Sequence, residues 1–111
     1  MDLVESGLIH DWNLAGEQPR PARGRIELDD ETLRDGLQSP SVIDPPIEKK
    51  IEILHLMAEL GIQSANIGLP AAGPRARNAA RRLAAEIARA KLPIFPNCAA
   101  RTKPEDIDPI A

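Results

Sequence analysis

The stretch Asp30-Glu31-Thr32-Leu33-Arg34-Asp35-Gly36-Leu37-Gln38-Ser39-Pro40 places a cation beside an anion, then a glycine, then an amide. Each residue type has a chemical use. Arg34 can stabilise a developing enolate oxygen. Asp35 offers a carboxylate to a divalent cation such as Mg, Mn or Zn. Gly36 frees the backbone so that a turn can aim both side chains inward. Gln38 can hydrogen-bond a carbonyl or carboxylate. A plainer reading competes: residues 30–35 form a helical turn capped by Gly36, and one carboxylate with one arginine is not a site. Spacing alone favours that plainer reading.

Other reactive residue types are scattered. Cys98 is the single cysteine, which excludes an internal disulfide framework and a Cys-cluster zinc site. It has no flanking His or basic run, so a buried small residue is expected rather than a nucleophile. His10 falls in the N-terminal stretch and His55 within an apolar-periodic segment, so neither is expected to be a metal ligand. Gly68 to Gly73 lacks the spacing and Lys of a phosphate loop and reads as a strand-to-helix turn. Arg75, Arg77, Arg81, Arg82 and Arg89 read as a solvated helix face, because no aromatic residues interleave with them for base stacking.

The elements that must carry these residues follow from hydrophobic period. Ile26 and Leu28 alternate with Glu27 and Asp29, which predicts a strand. A polar loop runs from Asp30 to Asp44. Asp44 before Pro45 reads as a helix cap, and Ile47, Ile51, Leu54 and Ala58 recur at helical spacing, widened by Ile53, Met57 and Leu60. Gly61 is placed to end that helix. Ile62 to Leu69 reads as a second strand. Pro74 opens a second helix with Ala76, Ala80, Leu83 and Ile87 as its buried stripe. Pro93 to Cys98 gives a third strand. Thr102 with Glu105 then resembles a capping box at the start of a third helix. Residues 1–24 read as an N-terminal extension with no sustained period.

Alternating β and α elements predict a parallel sheet with helical crossovers. Only 2% of the 111 residues are aromatic, Trp12 and Phe95, so the core must come from Leu, Ile, Val and Ala. A net charge of −3 asks for neither nucleic acid nor an anionic membrane. No apolar run approaches the roughly 20 residues of a membrane span. A lone cysteine and an acidic start without a signal-peptide pattern fit a cytoplasmic protein. Three parallel strands make a poor independent fold. The expected fold class is therefore α/β, with residues 25–111 forming the first two to three βα units of a (β/α)8 TIM barrel, which needs about 250 residues in all. The motif follows strand one, at the end of the barrel where active sites lie.

That motif resembles the Asp-x-Thr-Leu-Arg-Asp-Gly-x-Gln signature of the 2-isopropylmalate and homocitrate synthases, within the DRE-TIM metallolyase superfamily that also includes the HMG-CoA lyases. Gly68-Leu69-Pro70-Ala71-Ala72-Gly73 resembles that family's Gly-Phe-Pro-Ala-Ala-Ser. Asn97-Cys98-Ala99-Ala100-Arg101 lies where the synthases often carry Ala-Arg. The resemblance covers residues 25–111. It implies a metal-dependent acyltransferase that condenses acetyl-CoA with a 2-oxo acid. Arg34 would be catalytic, Asp35 a metal ligand, and Gln38, Asn66 and Arg101 substrate-binding. The other metal ligands, a His-x-His pair and an Asn, come from late strands, so the 111-residue chain alone is expected to be inactive. A homodimer is expected at full length. One departure stands out: Asn66 replaces the usual strand-two Glu, which removes a charge beside the motif arginine. The alternatives are the lyase direction, against which Ser39-Pro40 and Gly68-Leu69-Pro70 argue, and a truncated non-catalytic module that binds a partner through open sheet edges.

Overall fold

The computed structural model describes residues 24–111, together with Gly7 and His10. The expected extension over 1–24 thus lies almost wholly outside the described residues. Strand β1 (Asp29–Asp30) leads through the motif loop to helix α1 (Ile47–Leu60). Strand β2 (Ser64–Asn66), helix α2 (Pro74–Ala90), strand β3 (Phe95–Asn97) and a short helix α3 (Pro104–Ile107) follow. The strands form one parallel sheet in the order β1-β2-β3. Asp29 pairs with Ser64 and Asp30 with Ala65; Ser64 pairs with Phe95 and Asn66 with Asn97. The α/β class and the order of elements are as the sequence predicts.

The register decides the two faces of the sheet, because successive side chains alternate. Ala65 and Ile67 point under the helices and join Leu33, Leu54, Met57, Leu83, Ile87 and Ile94 in one buried cluster. Ser64, Asn66 and Asn97 lie on the other face. There Asn97 Nδ2 donates to Asp29 Oδ1 at 2.7 Å and to Ser64 Oγ at 3.0 Å. The core is aliphatic, and Phe95 is exposed.

Several boundaries differ from expectation, each for a physical reason. β1 is shorter than the pattern at Ile26 and Leu28 suggests, and both residues are exposed. The amide of Leu28 is taken by the side-chain oxygen of Gln63 at 2.8 Å instead of by a ladder carbonyl. Asp44 does not cap α1; the N-cap is Pro46, and the Asp44 carboxylate instead binds Lys50 Nζ at 2.6 Å and Arg75 Nη2 at 2.8 Å. Leu60, the last residue of α1, points to solvent. Gly61 ends the helix as expected, in the left-handed region at φ 81°, where its N–H reaches back to Ala58 and Met57. The capping box at Thr102 does not form: Lys103 is the N-cap of α3 and makes no side-chain cap bond.

On α2, Ala80, Leu83 and Ile87 are buried and Ala76 is half-buried. The arginine face is exposed at Arg75, Arg81, Arg82 and Arg89, as expected of a solvated face, with several of its members in ion pairs. Arg75 reaches Asp44, Arg82 approaches Glu48 of α1, and Arg89 binds Glu86 within the helix. Arg77 is half-buried, and its Nε is buried without a hydrogen-bond partner. His55 of α1 contacts Glu86 of α2 at 2.7 Å, a cross-helix contact. No described helix is long and apolar enough to cross a membrane.

Candidate active site

The motif loop leaves β1 as a run of tight turns. Asp30 Oδ1 accepts the Thr32 N–H at 2.8 Å, a local bond that stops the strand. The carbonyl of Glu31 then accepts the N–H groups of Arg34 and Gly36, and that of Thr32 accepts Leu37. Gly36–Gln38 completes a 3-10 turn. The helical turn expected over residues 30–35 forms only in part: Asp30 belongs to β1, residues 32–35 are turns and the helical segment starts at Gly36. Gly36 is not its left-handed cap, however: it is absent from the residues with positive φ, and a Cβ there would meet Thr32 Cγ2 at an ordinary 3.8 Å.

Beyond the ends of β1 and β2 lies a cavity of about 290 Å³. Arg34, Leu37 and Gln38 from the motif line it, with Gly68 and Leu69 from the turn after β2 and Ala76 from α2. Gly68 has φ 150°, a conformation that side chains rarely adopt, and its Cβ position would face Ala80 Cβ at 3.7 Å. Glycine is favoured here by that backbone conformation, since a Cβ would make only an ordinary contact with α2. The following residues form the expected strand-to-helix turn, a 3-10 segment Pro70–Ala72.

The cavity's charge is arranged by contacts the sequence did not reveal. Lys50 is buried and paired with Asp44, and both line the cavity with Arg75. The hydrogen bond from Lys50 and the charge of Arg75 hold the Asp44 carboxyl below its ordinary value, against some desolvation. A lysine among Ile47, Ile51 and Leu54 carries no local sign of this; only a carboxylate six residues away on a preceding loop hints at it.

Arg34 is the best-held group of the motif. Its Nη2 and Nε donate to Glu31 Oε2 at 2.7 and 3.0 Å, and its Nη1 donates to Asp35 Oδ1 at 3.2 Å. Asn66 does not reach the cavity lining. Its Nδ2 donates to both Glu31 carboxylate oxygens, at 3.2 and 3.3 Å, and its Oδ1 accepts the Gly68 N–H at 3.3 Å. Asp35 is largely exposed. Arg101 stands apart: its guanidinium is turned onto Asp106 and is absent from the cavity wall. The structure thus gathers Arg34 and Gln38 on one cavity, ties Asn66 to it through Glu31, and leaves Arg101 outside. Cys98 is half-buried against the core, and burial pushes its thiol upward, away from the thiolate a nucleophile needs.

A divalent cation finds little to hold it. Among the described residues no group of three or more His, Cys, Asp or Glu is placed to bind a metal ion. Asp35 offers one exposed carboxylate, already in contact with Arg34.

The family described as HMGL-like matches residues 25–109. The chain is 44% identical over 79 residues to the homocitrate synthase AksA of Methanopyrus kandleri, covering 71% of this chain and 19% of that protein. It is 38% identical over 72 residues to a 2-isopropylmalate synthase of Synechococcus sp., covering 65% and 13%. With the 2-isopropylmalate synthase of Salinibacter ruber it shares 37% identity over 84 residues, covering 75% and 14%. The chain spans about a fifth or less of the length of these curated relatives. No solved structure matches it.

Proposed function

The chain belongs to the HMGL-like family, and from that premise we propose that it supplies the opening βα units of a (β/α)8 barrel that condenses acetyl-CoA with a 2-oxo acid. The methyl carbon of the thioester gives a proton to a base and attacks the carbonyl carbon of the 2-oxo acid, whose C=O π pair moves onto the oxygen and takes up a proton to become a hydroxyl. Water then cleaves the thioester and releases CoA. The names of the relatives, homocitrate synthase and 2-isopropylmalate synthase, support this direction over cleavage. Residues 25–111 are the barrel portion in this reading and 1–24 an extension; the family match covers residues 25–109.

The observation that carries the reading is that Arg34 and Gln38 line one cavity together with Gly68 and Leu69. In that position Arg34 stabilises negative charge as it forms on a substrate oxygen, and Gln38 donates to a carbonyl or carboxylate. Asn66 and Arg101 make no direct contribution in this reading, since Glu31 and Asp106 hold them. Proteins of this family are typically divalent-metal dependent. Asp35 is retained as one proposed ligand, but one carboxylate does not make a metal site, and no step passes through the metal.

The test is a chimera in which residues 25–109 replace the matching segment of a homocitrate synthase relative. CoA-thiol release that requires both acetyl-CoA and a 2-oxo acid, and that Arg34→Ala abolishes, is expected. The 111-residue chain alone is expected to release none. A folded chimera that instead cleaves a 3-hydroxyacyl-CoA would replace condensation with the lyase direction. Turnover by the chain alone would overturn its reading as part of a barrel.

A further inference from the structure

We infer that Glu31 is a positioning residue: its carboxylate, anchored by Asn66 of β2, fixes the plane of the Arg34 guanidinium on the cavity wall. The inference deepens the reading of Arg34 given above and rests on it for the use to which Arg34 is put.

A pair spaced three residues apart on a turn is ordinarily weak, because both side chains swing freely and solvent screens them. Here the anion is not free. The Asn66 side chain is buried, and the Gly68 N–H occupies its Oδ1 at 3.3 Å. That bond fixes which end of the amide faces which way, so Nδ2 is aimed at Glu31 and reaches both carboxylate oxygens at 3.2 and 3.3 Å. Glu31 in turn receives Nη2 and Nε of Arg34 at 2.7 and 3.0 Å. The chain of contacts runs from the backbone after β2, through Asn66 and Glu31, to Arg34. It joins residues 35 apart in sequence and both turns that line the cavity.

The geometry also leaves Arg34 something to do. A guanidinium carries five N–H donors. Glu31 takes Nε–H and one N–H of Nη2, and Asp35 takes one N–H of Nη1. One N–H on each Nη is left for a ligand oxygen, and their direction is set by how Glu31 holds the opposite edge. Preorganised donors of this kind need no reorganisation as charge develops. At position 66 an amide therefore serves where a second carboxylate would repel Glu31.

The experiment reads the Arg34 Nε–Hε resonance by NMR in the full 111-residue chain, assigned by its loss in Arg34→Lys. Glu31→Gln is expected to raise solvent exchange of that proton about tenfold or more, as loss of a hydrogen bond to a charged group implies. Asn66→Ala is expected to raise it by less. The amides of Gly36 and Leu37 should keep their protection, because their acceptors are backbone carbonyls. Should Glu31→Gln fail to fold, Glu31→Asp keeps the charge, withdraws the carboxylate by one methylene, and reads the same proton. An Arg34 proton that does not respond in a folded variant overturns the inference. So does a rise shared equally by Gly36 and Leu37, which marks Glu31 as a mere brace of the turn. Failure of thiol release by the chimera while the Arg34 proton responds in the chain overturns only the condensation reading; thiol release by the chimera with an unmoved proton overturns only the positioning.

Discussion

Asp106 accepts three hydrogen bonds from Arg101: from its Nε at 2.8 Å, its Nη2 at 3.0 Å and its backbone N–H at 3.0 Å. The carboxylate is buried while the guanidinium stays largely exposed. Arg101 ties the end of the segment after β3 to the first turn of α3.

That pairing predicts a pH dependence. The Arg101 side chain first, then its backbone N–H, holds the Asp106 carboxyl down at about 2, against an ordinary value of 3.8. A carboxylate with a depressed pKa contributes stability that is complete above its unfolded value and is lost as pH falls through its folded one. The melting temperature should therefore decline as pH falls from 3.8 toward about 2. Glu86, pulled from 4.5 to about 2 by Arg89 and His55, adds to the decline and starts it from pH 4.5. Melts followed by circular dichroism should show a shallower decline in Asp106→Asn; equal slopes in the two proteins would assign the whole effect elsewhere.

Arg34→Lys keeps a positive charge but loses the planar fork that Glu31 grips. In the active chimera kcat should drop by about 10²–10³, the usual cost of one electrostatic donor, with the melting temperature little changed. Steady-state kinetics beside thermal melts separate the outcomes. A lower melting temperature with intact turnover would mean that Arg34 only shapes its turn.

Asp35 should bind Mn²⁺ weakly on its own, since one carboxylate is a single ligand where such ions take about six. Adding Mn²⁺ to the chain should broaden the NMR signals of Arg34 to Leu37 only at high concentration. Asp35→Asn should remove that broadening, and tight binding that survives the substitution would point to ligands other than Asp35.

Leu54 is fully buried in the cluster between the helices and the sheet. Leu54→Ala should cost about 2–5 kcal/mol, a transfer term plus a cavity term. The same change at exposed Leu60 should cost little. Urea titrations of the two variants measure the difference, and similar midpoints would contradict the packing described.

What the sequence determined by itself is the local grammar. The 3.6-residue period placed α1 and α2, Gly61 stopped one helix, Pro74 opened the next, and the run from Glu31 to Gln38 fell in the loop after β1. These signals work because neighbours in the chain carry them: a periodic apolar face, a left-handed glycine, a proline with no N–H to lose. Which polar groups meet across elements depends on the assembled fold. Asp44 looked like a cap and became the partner of Lys50 and Arg75; Thr102 looked like a cap while Asp106 closed onto Arg101. Asn66 looked like a lost charge beside Arg34, yet Glu31 supplies that charge from the motif itself. The reason is physical: a cap or a periodic face depends on chain neighbours, whereas a contact between residues 31 and 66 depends on the register of β1 against β2, which brings Asp30 beside Ala65.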